Sequence, residues 1–245
     1  YGFEKLPTVP PALPALPVRE DTLVRTNTQL RHTLVGLGYD EALTFSFAPS
    51  GDATAVVLSN PLRDEEKWLR TSLAESLLRT VVYNLHHQNG RLDLFEVGRV
   101  FRRGEGGKGF DQEYRLGVVS AGAGVGHWAQ ATRTVDYYAV KGVIESVMRE
   151  LRVDWKLETG PGAGPEAGMY HPARSARVSV GVQVVGTFGE AHPAVLAEAK
   201  VTVPVALAEL SIEKLMVATA RPFKASAIAQ FPRADRDLAL LVNGD

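Results

Sequence analysis

The stretch Leu94–Gly106, LFEVGRVFRRGEG, decides the reading of this chain. Extended back to Leu92, it carries apolar side chains at both parities: Leu92, Leu94, Phe95, Val97, Val100 and Phe101. A strand with one wet face alternates strictly. Apolar residues on both faces mark a strand inside a sheet, covered on both sides. This strand, Leu92–Arg102, ends in Phe101 and Arg102, and Tyr114–Ser120 reads as a further strand. Arg99, Arg102, Arg103 and Lys108 form the best local basic cluster. Exposed guanidinium groups suit phosphate. The same charges suit an ordinary wet hairpin tip, and both readings stay open at this point.

Upstream, residues 7–17 hold five prolines, Pro7, Pro10, Pro11, Pro14 and Pro17. Proline lacks an N–H and fixes φ, so the stretch predicts an extended spacer. A helix follows from about Arg19 to Leu37, with Leu23, Leu30, Leu34 and Leu37 on one face and Gly38 as its cap. Glu41–Phe47 then alternates: Leu43, Phe45 and Phe47 point one way, Thr44 and Ser46 the other, which is strand periodicity. Ser72 and Glu75 form a capping box for a helix with an apolar stripe at Leu73, Leu77, Leu78, Val81, Val82 and Leu85.

Downstream, Asp136 caps a third helix, whose stripe is Val140, Val143, Ile144, Val147, Met148 and Leu151. Gly160–Gly168 is a low-complexity loop, and Val178–Phe188 reads as two short strands turning near Gly181. His192-Pro193 starts a short helix, since proline fits the first helical turn. Val203–Glu209 is a strand, and Asp237–Val242 begins another. Strands and helices without strict alternation predict an α+β fold, a mostly antiparallel sheet flanked by helices. The body runs from 18 to 210, with a second unit opening beyond it. A start at Tyr1 and a strand cut short at Asp245 predict a piece of something longer.

The bulk numbers exclude several functions. With 27 basic and 28 acidic residues among 245, the chain has no net attraction to nucleic acid or an anionic membrane. It has no cysteine, which removes disulfides, thiolate catalysis and cysteine-bound zinc. A reducing cytoplasmic setting is expected. No apolar run approaches the roughly 18 residues that cross a bilayer.

Gly122, Gly124 and Gly126 form G-x-G-x-G, but no helix follows at once, so a surface loop is favoured over a phosphate loop. Adjacent His86 and His87 diverge by about 100° on a helix and cannot share a metal. His171 and His192 each precede proline, where histidine bonds nearby backbone. The acidic run Asp64, Glu65 and Glu66 reads as a solvated loop rather than a magnesium cage. No serine nucleophile with a base, and no acid–base pair of carboxylates, is legible. The residues thus assign no catalytic centre and no metal site.

Seven segments, in order, resemble one family. They are YGFEKLP at 1–7, NPLRDEEKWLRTSL at 60–73, LFEVGRVF at 94–101, VDYYAVKGVIESVM at 135–148, HPARSARV at 171–178, GTFGEAHPAVL at 186–196 and FPRADRDLALLV at 231–242. They are similar to the beta subunit of bacterial phenylalanyl-tRNA synthetase. The resemblance implies an (αβ)₂ enzyme that joins phenylalanine to tRNA(Phe) using ATP and Mg²⁺, with the active site on the alpha subunit. It implies that 1–17 end a preceding helical domain and its proline-rich linker. It makes 18–210 a degenerate class II synthetase-like module, and 211–245 a linker and the truncated start of a ferredoxin-like anticodon-binding domain. The family's editing site and beta-subunit magnesium ligands fall upstream of Tyr1.

Catalytic class II synthetases carry a motif Phe-Arg-x-Glu, whose arginine meets the ATP α-phosphate and whose acid helps hold adenine. Phe101 and Arg102 match, but Gly104 stands in the acid's place and Glu105 is one residue out of register. The third motif of those catalytic synthetases is a glycine-rich strand leading into a helix that supplies an arginine, and Gly181–Ala199 contains none. The resemblance therefore implies a non-catalytic module that binds no cofactor itself, packs against alpha and helps position tRNA. Leu23, Leu30 and Leu34 are expected either at the alpha contact or within this domain. Arg99, Arg102, Arg103 and Lys108 are the expected RNA contacts. The alternatives are an independent ligase in which Arg174 or Arg177 replaces the missing arginine, and a plain tRNA-binding module.

Overall fold

The strand that opens the sequence reading lies near one side of a seven-stranded sheet. The computed structural model describes residues 2–5, 8–9, 20–104, 106, 108–123, 134–161, 165–219, 234 and 236–239. Its elements run α1 (Thr22–Gly36), β1 (Asp40–Glu41), β2 (Phe47–Ala48), β3 (Trp68–Leu69), α2 (Leu73–His86), β4 (Arg91–Arg103) and β5 (Phe110–Gly122). There follow α3 (Tyr137–Glu150), β6 (Lys156–Thr159), β7 (Tyr170–Val180), β8 (Gln183–Ala191), α4 (Pro193–Glu198), β9 (Val205–Ser211) and α5 (Ile212–Thr219). The sheet order is β1-β4-β5-β9-β8-β7-β6. Every pairing is antiparallel except β1 with β4.

Register divides the sheet into two faces, because side chains alternate along each strand. One row across it is Phe95, Val118, Ala208, Phe188 and Ala176. All five are buried in the main core with Leu30 and Leu34 of α1, Val140, Ile144 and Val147 of α3, and Leu215 of α5. The neighbouring row, on the opposite face, is Glu96, Gly117, Glu209, Thr187, Arg177 and Glu158. There α2 covers part of the sheet, with Leu77, Leu78 and Val81 against Val119 and Leu207.

The caps explain where the helices begin. Asp21 accepts from the Leu23 N–H at 2.8 Å, so α1 starts at Thr22 rather than near Arg19. Asp136 caps α3 through Ala139 N–H at 2.9 Å, and Ser72 caps α2 through Glu75 N–H at 3.4 Å. The reciprocal half of the capping box is not made, since Glu75 pairs with Arg79 at 2.8 Å.

Some expected strands change. Glu41–Phe47 is not a continuous strand: its ends pair as β1 and β2, and residues 42–46 lie unpaired between them. β9 starts at Val205, not Val203, because Pro204 has no N–H for the ladder. Of Asp237–Val242, residues 237–239 are described and carry no strand pairing; the rest lies outside the described residues, as do Glu105, Gly124, Gly126, Pro7 and residues 10–17. Among the described residues no helix is long and apolar enough to cross a membrane.

Candidate functional site

The β4–β5 hairpin puts Arg102 opposite Asp111 and Phe101 opposite Gln112. Its far end is tied to the residues on both sides of β3. Phe101 N–H donates to the Arg70 carbonyl at 2.9 Å, Arg103 N–H to Thr54 O at 2.7 Å, and Arg103 Nε to Ala55 O at 3.0 Å. The Phe101 ring lies 6.4 Å from that of Phe110. Gly104, the position of the missing acid, has a steric reason to be glycine: a Cβ there would sit 2.4 Å from the Lys108 carbonyl oxygen. A carboxylate-bearing side chain at this position requires the tip to open.

The four basic residues do not share one face. Strand alternation places Arg102 opposite Arg99 and Arg103, and the register of β4 is unbroken. Arg99 lies 4.7 Å over the Tyr114 ring. Arg102 lines a cleft of about 220 Å³ with Thr54, Val100, Asp111 and Glu113, so carboxylates share its surroundings. Lys108 stands exposed at the tip.

Next to this hairpin, the α2-covered face of the sheet is filled by paired charges. Arg70 Nη1 and Glu96 Oε1 meet at 2.8 Å, with the two side chains only 5% and 3% exposed. Arg115 bridges Glu113 at 2.8 Å and Glu209 at 2.9 Å. Glu209 Oε2 also accepts from Ser72 Oγ at 2.5 Å and from Ala74 N–H at 3.1 Å. Burial pushes the Glu113 carboxyl up, but the neighbouring Arg115 charge and a Ser211 hydrogen bond outweigh it and hold the pKa below the usual carboxylate value.

Glycines let these groups settle on the sheet. A Cβ at Gly98 would lie 2.6 Å from Arg70 Nη2, and one at Gly117 would lie 2.8 Å from Leu73 Cβ. Sequence reasoning missed this cluster. Its one signal was a charged residue, Glu96 or Glu209, at an inner position of an otherwise apolar strand.

The β8–α4 region offers no substitute cation. Arg174 pairs with Glu190 at 2.5 Å and Arg177 with Glu158 at 2.6 Å, on opposite faces of β7. The region's glycines serve close approach: a Cβ at Gly186 would lie 2.2 Å from Glu209 O, and one at Gly189 2.5 Å from Arg174 O. His171 and His192 accept from nearby backbone N–H groups at 3.1 Å. Among the described residues no three acidic or histidine side chains gather as metal ligands.

The segment between β1 and β2 is inside out. Leu43 and Phe45 are 85% and 80% exposed, and Phe47 is 38% exposed. Thr44 and Ser46 face the protein instead. Thr44 Oγ1 donates to Glu96 Oε2 at 2.6 Å and receives Arg70 Nη1 at 2.7 Å, and Ser46 O receives Arg70 N–H at 2.9 Å. The shared-face prediction for Leu43, Phe45 and Phe47 holds, with that face turned to solvent. Leu30 and Leu34 show the reverse. They are wholly buried in this chain's own core, so of the two expectations these two follow internal packing, while Leu23 packs against that core only partly buried.

A mixed, largely antiparallel sheet with helices on both faces, and a Phe-Arg strand ending in a hairpin tip, is the class II aminoacyl-tRNA synthetase architecture. A pyrrolysyl tRNA synthetase from Desulfitobacterium hafniense superposes with TM-score 0.60 at 14% identity, over 80% of this chain and 66% of that one. A second structure of that organism's enzyme gives 0.59 at 15%, over 82% and 74%. Within this class the chain belongs to the family described as the phenylalanyl tRNA synthetase beta chain CLM domain, matched over residues 6–212. Relatives named phenylalanine–tRNA ligase beta subunit include those of Listeria monocytogenes, 30% identical over the whole chain, and Burkholderia pseudomallei, 32% identical over 99% of it. The chain spans 31% of the length of each of these relatives.

Proposed function

We propose that this chain is the non-catalytic, synthetase-like module of a phenylalanine–tRNA ligase beta subunit, and that it packs against the alpha subunit through the strip Leu43, Phe45 and Phe47. The strip carries the reading. Two large apolar side chains, 85% and 80% exposed, alternate with inward, hydrogen-bonded Thr44 and Ser46. A chain that turns the apolar half of an alternating segment outward leaves that half for a partner. Membership in the beta-subunit family makes the alpha subunit the occupant this reading commits to.

The ligase activity belongs to the assembled enzyme, an (αβ)₂ tetramer in the cytoplasm that consumes ATP with Mg²⁺ and charges tRNA(Phe). This module holds the alpha active site in a competent assembly and helps position the tRNA. Ser211 closes β9 and Ile212 and Leu215 of α5 lie in this module's core, so it is the chain beyond Thr219 that leads toward an anticodon-binding domain. The residues here do not fit a nucleotide. Gly104 has no room for the adenine-holding acid, Arg115 is committed to Glu113 and Glu209, and Arg70 is committed to Glu96. No phosphoryl step is therefore assigned to this chain. An independent ligase has less support, because its candidate arginines, Arg174 and Arg177, lie on opposite faces of β7, each in a solvent-exposed ion pair, and cannot both serve one site.

The test is assembly. In the full-length beta subunit, Leu43→Asp together with Phe45→Asp is expected to abolish co-purification with alpha while leaving the thermal unfolding midpoint of beta unchanged. Normal assembly of that variant would defeat the reading.

A further inference from the structure

We propose that Arg70, Glu96 and Thr44 form a positioning clamp that sets the strip in its docking shape, and that the clamp's hydrogen bonds are themselves determinants of subunit affinity. The inference rests on the docking reading above. Residues 42–46 belong to neither sheet, so ladder pairing does not hold them. What holds them is a short set of contacts, all made by the inward half of the alternation. Ala42 N–H donates to Phe95 O at 2.7 Å, Thr44 Oγ1 joins Glu96 and Arg70, and Ser46 O takes the Arg70 N–H.

Arg70 is the hub of this arrangement. Its Nε donates to Arg99 O at 2.8 Å, its carbonyl accepts from Phe101 N–H at 2.9 Å, and its Nη1 reaches both Thr44 Oγ1 and Glu96 Oε1. One buried guanidinium thus fastens the strip to β4. Gly98 leaves the space for it, since any Cβ there would lie 2.6 Å from Arg70 Nη2. Because the charges are buried and paired, with Arg70 Nε and Nη1 each hydrogen-bonded, their geometry is strict. Leu43 and Phe45, alternating with Thr44, are held outward without having to be ordered on binding, and that preorganisation is what affinity gains from.

The experiment uses full-length beta subunit and its alpha partner. Thr44→Val, which keeps the shape and removes the hydroxyl, is expected to weaken assembly about tenfold, the scale of one charge-assisted hydrogen bond. It is also expected to speed amide exchange across residues 42–47. Thr44→Ser, which keeps the hydroxyl, should restore both. Gly98→Ala attacks the same clamp from the other side and should shift affinity in the same direction. Wild-type affinity in Thr44→Val, or weakened affinity with unchanged exchange at 42–47, overturns the clamp. If Phe45→Asp alone leaves assembly intact, the docking reading falls and the clamp with it; if Phe45→Asp abolishes assembly while Thr44→Val does not, only the clamp falls.

Discussion

Tyr39 shows how much a single side chain decides out of sight of its neighbours in sequence. Its hydroxyl lies 2.6 Å from Ser120 Oγ in the interior. Burial raises the phenol above its ordinary value of 10.0, with the Ser120 hydrogen bond partly opposing the rise. A group whose pKa is higher folded than unfolded contributes stability that is complete below the unfolded pKa and is lost as pH climbs through the folded one. Urea unfolding is therefore expected to show constant stability from this residue up to about pH 10 and a decline beyond it. Tyr39→Phe should cost about 1 kcal/mol at neutral pH and make the alkaline decline shallower, leaving only the slope from groups such as Tyr137, also raised by burial. Equal alkaline slopes in the two proteins would refute the assignment. Nothing in the sequence joins Tyr39 to Ser120, which lie 81 residues apart. Gly104 is the intermediate case. The missing acid was legible, but the reason was not, because the obstructing atom belongs to Lys108 across the hairpin tip.

Among the elements, α2 was read almost completely, because its signals are local. The stripe Leu73, Leu77, Leu78 and Val81 is buried as the period requires, and Ser72 is the cap. What local signals omit is the other use of Ser72, whose hydroxyl donates to Glu209 on β9. Ser72→Ala removes both the cap and one of the partners of a buried carboxylate. The expected loss is about 2–3 kcal/mol, more than a surface cap gives, read as a lower denaturant midpoint at unchanged m-value. A loss of only a few tenths would mean that Glu209 is satisfied without it. The segment 41–47 failed for a different reason. Period two tells which residues share a face but not which face is inside. There, hydrogen bonds from Arg70 and to Glu96 outweigh the burial of Leu43 and Phe45. The α1 stripe was legible as apolar, but whether Leu30 and Leu34 served this core or another chain's depended on α3 and α5 arriving from far along the sequence.

At the scale of the whole molecule, the sheet keeps the layering of its class while the charged groups on its α2-covered face bind one another. Arg70 with Glu96, and Arg115 with Glu113 and Glu209, are ion pairs closed within the chain. Breaking such buried pairs to admit a ligand costs several kcal/mol for each charge left alone. A nucleotide would have to repay that cost without the acid that Gly104 excludes. Arg102 is the one match to the phosphate-contacting position, and it shares its cleft with Asp111 and Glu113. The consequence is measurable in the proposed alpha–beta assembly. Arg102→Ala in the beta subunit should leave ATP–phenylalanine pyrophosphate exchange by the alpha–beta complex within about twofold, whereas removing a donor that stabilises a transition state costs about 10²–10³ in rate. Exchange in the assembled variant, confirmed as assembled by its sedimentation, separates the two possibilities. A hundredfold fall with the complex intact would place Arg102 in the chemistry and return this module to catalysis.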